Sequence, residues 1–123
     1  MSSKQSTVDF ILEQITNAGI VYARKMFGEY AIYCDNKVVS LVCDDQLFVK
    51  PTQAGMAFIT NYIEGHPYVG AKPYLLISGE KWDESDWLTE LIQITASELP
   101  LTKKKAPSRK RIKNNTLSKR NLP

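Results

Sequence analysis

Tyr30-Ala31-Ile32-Tyr33-Cys34-Asp35-Asn36-Lys37-Val38-Val39-Ser40-Leu41-Val42-Cys43-Asp44-Asp45-Gln46-Leu47-Phe48-Val49-Lys50 is three apolar runs separated by two short polar ones. The runs are rich in β-branched and aromatic residues, as strands are. The gaps are too short for a crossover helix, so consecutive strands must run antiparallel as a meander. Centring the first turn near Asn36-Lys37 places Cys34 opposite Val39. Cys43 then does not face Cys34, and no disulfide between the two cysteines is expected. Both read as buried free thiols, in keeping with a reducing cytosol.

Working outward, Val21 to Met26 reads as another strand, and Phe27-Gly28-Glu29 as a turn or bulge at Gly28. Before it, Val8, Ile11, Leu12 and Ile15 have helical spacing over Val8 to Ala18, with Thr7 as N-cap and Gly19 at the stop. On the other side Pro51 ends a strand. Thr52 caps a helix expected over Gln53 to Tyr62, with Met56, Ile59 and Ile63 on one face, and Gly65-His66-Pro67 breaks it. Pro73 to Ser78 reads as a further strand. A last helix over Glu84 to Leu99 turns Trp87, Leu88, Leu91, Ile92 and Thr95 inward and ends at Pro100.

The resulting fold class is α+β, a two-layer sandwich of an antiparallel meander sheet with helices on one face. The second sheet face must meet solvent or a second copy of the chain, so a homodimer or another protein partner is expected.

At 123 residues the chain suits one domain, but its net charge of +3 hides an asymmetry. Residues 1–102 carry seven Lys and Arg against all 13 acids, a net of −6. Residues 103–123 carry Lys103, Lys104, Lys105, Arg109, Lys110, Arg111, Lys113, Lys119 and Arg120 and no acid, a net of +9. The expected organisation is therefore a folded domain over 1–102 and a disordered basic tail over 103–123. Those nine cations are the candidate nucleic-acid contacts, since polyphosphate binding is driven by counterion release without sequence preference. No apolar run approaches the length that crosses a bilayer, and the N-terminus lacks an apolar signal region, so the expected location is cytoplasmic with no membrane contact.

The chain offers little catalytic chemistry. His66 stands alone in a Gly-Pro loop without metal-ligand spacing. Asp44-Asp45 are adjacent and read as hairpin-turn residues rather than a paired acid and base. The glycines are scattered, with no phosphate-cradling loop. The expectation is no enzyme, no catalytic residue, no metal and no cofactor. The alternative is a small ligand-binding domain or an enzyme with a pocket between sheet and helices. Phe27, Tyr30, Tyr33 and Phe48 suit a nucleic-acid stacking platform in type. In an acidic body without interleaved cations they read instead as core and outer sheet face.

The run Arg24-Lys25-Met26-Phe27-Gly28-Glu29-Tyr30-Ala31-Ile32-Tyr33 resembles the signature of TfoX/Sxy N-terminal domains, an Arg-x-Met-Phe-Gly-Gly-Tyr-Gly-Ile-Tyr-like segment that opens the meander. The similarity continues through Leu41 to Lys50, resumes at Pro73 to Ile77 and reaches Glu98-Leu99-Pro100. On this resemblance Arg24, Met26, Phe27, Gly28, Tyr30 and Tyr33 are structural motif residues. It implies a secretion-chaperone-like two-layer fold and a regulatory role near DNA-uptake competence, where full-length TfoX acts with the cyclic-AMP receptor protein as a transcriptional co-activator. It implies no enzymatic chemistry. Glu29 and Ala31 replace family glycines, and the basic tail stands where full-length members carry a helical second domain. Stand-alone N-terminal domains are the better match.

Overall fold

The computed structural model describes residues 3–100. Three two-residue turns organise the sheet. Met26 pairs with Glu29, Cys34 with Lys37 and Cys43 with Gln46. The turns are therefore Phe27-Gly28, Asp35-Asn36 and Asp44-Asp45, and all six residues have positive φ, between 51° and 82°. Positive φ at both central positions is the type I′ condition, whose twist matches that of the flanking strands. These turns join β1 (Val21–Met26), β2 (Glu29–Cys34), β3 (Lys37–Cys43) and β4 (Gln46–Val49). With β5 (Ile63–Gly65) and β6 (Tyr74–Ile77) they form an antiparallel sheet of order β1-β2-β3-β4-β6-β5.

Register differs from expectation at one cysteine. Cys34 lies opposite Lys37, not Val39, because the turn closes one residue earlier, on Asp35-Asn36. A bulge then follows, with Tyr33 facing Val38 while Ile32 faces Ser40. Val39 is the extra residue, and Val39 and Ser40 are both fully buried. The Ser40 hydroxyl is buried there without a hydrogen-bond partner. Past the bulge, alternation sends Cys43 and Cys34 to opposite sheet faces, so the two thiols are free and buried in separate clusters.

The helices α1 (Gln5–Gln14), α2 (Gln53–Ile59), α3 (Gly79–Trp82) and α4 (Ser85–Glu98) pack on one face, giving the α+β sandwich. Val8, Ile11 and Ile15 from the α1 segment and Leu88, Leu91 and Ile92 from α4 meet Ile32, Val42, Leu47 and Leu75 from the sheet. Thr52 caps α2 as expected, its Oγ1 accepting from Gly55 N–H at 3.0 Å. The opposite face carries a second cluster built only from strand residues: Ala31, Leu41, Cys43 and Phe48, flanked by Tyr33, Val38, Tyr74 and Leu76.

Two expected helices are corrected. The first helix starts at Gln5 and ends at Gln14, followed by a 3-10 turn over Thr16–Ala18. The second helix stops at Ile59, because Thr60 adopts φ 68°. Ile63 is consequently not on a helix face. It sits 63% exposed on edge strand β5, whose Gly65 lets the Phe48 ring approach to 3.0 Å from where a Cβ would stand. Trp87 packs against the helix-side core as expected and is half-buried there, its ring 5.6 Å from that of Phe58.

Thr7 does not cap its helix. Its hydroxyl donates to Asp45 Oδ1 at 3.0 Å, beside Lys4 N–H at 2.8 Å, while Ser3 Oγ accepts from Asp45 N–H at 2.9 Å. Glu29 completes the clasp: Oε1 accepts from Ser3 N–H and Oγ, and Oε2 from Asp44 N–H. Donation by Lys4 N–H, then by Thr7, holds the Asp45 carboxyl below its ordinary 3.8. A depressed folded pKa contributes stability that is complete above the unfolded value and is lost as pH falls through the folded one. Asp45→Asn should therefore be less stable than the parent at neutral pH. The gap should close as pH falls below about 4, which urea midpoints measured across pH 2–7 will show.

Candidate functional site on the outer sheet face

The face away from the helices is not flat. It holds a cavity of about 800 Å³, within the range of small-molecule sites. Val38, Leu41 and Cys43 from β3 and Tyr74 from β6 contribute to its lining. Met26 and Phe27 at the β1–β2 turn line it, as do Pro67, Tyr68 and Val69 from the β5–β6 loop. The loop is tied by His66 Nδ1, which donates to Ala71 O at 2.9 Å, and by Ala71 N–H, which donates to Tyr68 O at 3.1 Å. His66 is thus a loop-fastening residue, and no cluster of three metal-ligating side chains occurs among the described residues.

The rim is unusually apolar. Phe27 is 101% exposed and Val69 102%, with Tyr68 and Met26 also open. Phe27 was expected in the core or on the outer sheet face. It stands instead at the hairpin tip at φ 54°, a conformation that costs an L side chain about 1–2 kcal/mol. Gly28 follows at φ 82°, which it adopts without that cost.

The charged and nucleophilic groups divide along the cavity. Burial, then Glu29 and Asp44, push the Cys43 thiol up to about 11, so it stays protonated at neutral pH. Burial lowers the Lys50 ammonium, and burial with Tyr68 and Cys43 raises the Tyr74 hydroxyl. Of the expected motif residues, Met26 and Phe27 form the cavity rim, and Gly28 completes the turn that carries them. Tyr30 is buried, its hydroxyl donating to Gln5 Oε1 at 3.1 Å. Tyr33 stacks on Tyr22 at 4.8 Å, and Arg24 lies 5.9 Å over the Tyr33 ring. The tail contacts Lys103, Lys104, Lys105, Arg109, Lys110, Arg111, Lys113, Lys119 and Arg120 lie outside the described residues.

The motif residues thus converge on one hairpin, and the family model for the TfoX N-terminal domain matches residues 13–99. The chain belongs to the TfoX N-terminal domain family. It is also 39% identical over 103 residues to an uncharacterised 12.7 kDa protein encoded in the trpE 5′ region of Spirochaeta aurantia, covering 84% of this chain and 89% of that one. Membership makes this a competence-related regulatory domain at the level of the family. Within the TfoX-type hairpin, the departures at Glu29 and Ala31 are accommodated by ordinary strand positions, since neither residue has positive φ. Glu29 there serves the clasp on Ser3, a role no glycine could fill.

Sequence reasoning missed Lys50, Tyr68, Val69 and Tyr74 as site residues, and the cavity lies on the face opposite the helices rather than between the layers. The available signal was parity: Phe48 and Lys50 alternate onto one face, and a lysine closes an otherwise apolar strand.

Asn-Gly is the preferred pair for a type I′ turn. Phe27→Asn should therefore raise stability by about 0.5–1 kcal/mol through relief of the turn. Chemical denaturation should show a higher midpoint at unchanged slope.

Proposed function

We propose that this TfoX-type chain is a non-catalytic regulatory module linked to transcriptional control of DNA-uptake competence. The described domain docks a protein partner and the basic tail supplies non-specific nucleic-acid affinity. The observation that carries the docking reading is Phe27. A fully exposed aromatic held at positive φ costs stability and contributes no packing, and such strain collects at functional sites. With Val69, Tyr68 and Met26 it forms an apolar rim on one side of the molecule, the kind of surface that marks interaction sites. The homodimer expected from the open sheet face is one form this docking takes.

The protonated state of Cys43 supports the non-catalytic reading, because the thiolate is the nucleophile. The net of +9 over residues 103–123 supports polyphosphate contact.

Two experiments test this assignment. The full chain should be retained on immobilised duplex DNA at low salt and released as salt rises, whereas a chain ended after residue 102 should not be retained. Equal retention of both would remove the tail's role. Sedimentation at several concentrations, on the parent and on Phe27→Asp, separates self-association from docking of a different protein. A concentration-dependent dimer lost in Phe27→Asp identifies the second copy as the partner.

A further inference from the structure

The strand register brings a lone cation to the apolar cavity of the outer face. Val49 pairs with Leu75, so the next residues, Lys50 and Tyr74, emerge at neighbouring positions, and both line the cavity. Among the described residues the Lys50 ammonium and the Tyr74 hydroxyl have no hydrogen-bond or ion-pair partner. The ion pair among the described residues is Lys81–Glu84, at 3.7 Å on the surface. A half-buried ammonium without a counter-charge is poorly solvated, and an arriving anion would relieve it.

The two carboxylates lining the cavity, Glu29 and Asp44, do not supply that charge. They lie by the β1–β2 and β3–β4 turns, near Gln46, whereas Lys50 is four residues further along the strand, about 13 Å away. Both Glu29 oxygens are occupied by the clasp, on Ser3 and on Asp44 N–H. The cavity is therefore polarised, with a cation, a hydroxyl and Val38 at one end, acids at the other, and Leu41 and Cys43 between.

We propose that this cavity binds a small, largely apolar molecule bearing one anionic group. Its charge meets Lys50 and the Tyr74 hydroxyl, and its body lies over Leu41 and Cys43 toward Met26 and Phe27. The site shares its rim, Met26 and Phe27, with the surface of the partner reading, but its charge recognition rests on Lys50 and Tyr74, which that reading does not use. An anion of about ten carbons spans the polarised length. A flat aromatic carboxylate fills the same floor, so both body shapes enter the test.

Titration of the full chain with decanoate and with 2-naphthoate, followed by amide NMR and calorimetry, tests the proposal. One or both should bind saturably at a single site, shifting resonances of Leu41, Cys43 and Tyr74 but not of Leu91 in the helix-side core. Whichever binds tighter fixes whether the body is an alkyl chain or an aromatic ring. Decanol and decylammonium should bind about tenfold or more weakly than decanoate, the loss expected when a hydrogen bond to a charged group is removed. Lys50→Met should weaken the anion by a similar factor while Lys50→Arg retains it. The tail is intact in both variants, so a loss reports on Lys50 alone. The comparison of charged and neutral ligands uses the unaltered chain and needs no variant to fold. Equal affinity for decanol and decanoate, shifts confined to residues 103–123, or no saturable binding would overturn the proposal. So would cavity resonances that move with protein concentration and not with ligand, which would make a second copy the occupant.

Discussion

Backbone handedness at three turns governs this fold. Each β-hairpin from β1 to β4 closes on two residues, and each closure requires two consecutive residues at positive φ. Asp, Asn and Gly provide five of those six positions, in keeping with their tolerance of the left-handed region. Because side chains alternate along a strand, a turn longer by one residue would send a whole strand's apolar set to the wrong face. The short turns therefore determine which residues meet the helices and which line the outer face. Among the described strands, the bulge at Val39 and Ser40 is the one place where alternation is interrupted, and it keeps Val39 and Val42 in the helix-side core while Leu41 and Cys43 face outward.

That division yields two unequal hydrophobic clusters. The larger is sealed by α1 and α4. The smaller is sealed only by strand residues and by the close approach of Phe48 to Gly65, and it ends in the open cavity. A sheet with an apolar second face normally avoids exposing it. Here the Tyr68-Val69 loop and the Met26-Phe27 tip lie along its border without closing over it, and the two most exposed large apolar residues, Phe27 and Val69, stand on that border.

Much of this was legible from the chain. The meander was readable because its turns are short and polar, and the last helix because Leu88, Leu91, Ile92 and Thr95 keep a helical period. Strand β5 was not readable: Ile63-Glu64-Gly65 is three residues long and continues a helical-looking window, and only the φ of Thr60 separates them. Thr7 has the chemistry of an N-cap, yet the Asp45 carboxylate, 38 residues away, competes for its hydroxyl and wins. The cavity was hidden for a related reason. Which face Lys50 joins depends on turn closure and on a bulge that has no signature in Val38-Val39-Ser40. The motif residues were recognisable as a string, but that Phe27 projects while Tyr30 and Tyr33 are packed follows only from the two-residue closure.

The hydrogen bond from Lys37 Nζ to Ala96 O, at 2.8 Å, ties the last turn of α4 to the β2–β3 hairpin. That hairpin lies at the end of the sheet opposite the Phe27 turn, because β2 runs from one to the other. The last turn of α4 is therefore tied about 20 Å from the Phe27 turn, the span of a six-residue strand. A protein seated on the Phe27 tip would leave the Lys37–Ala96 tie, and with it the last turn of α4, uncovered.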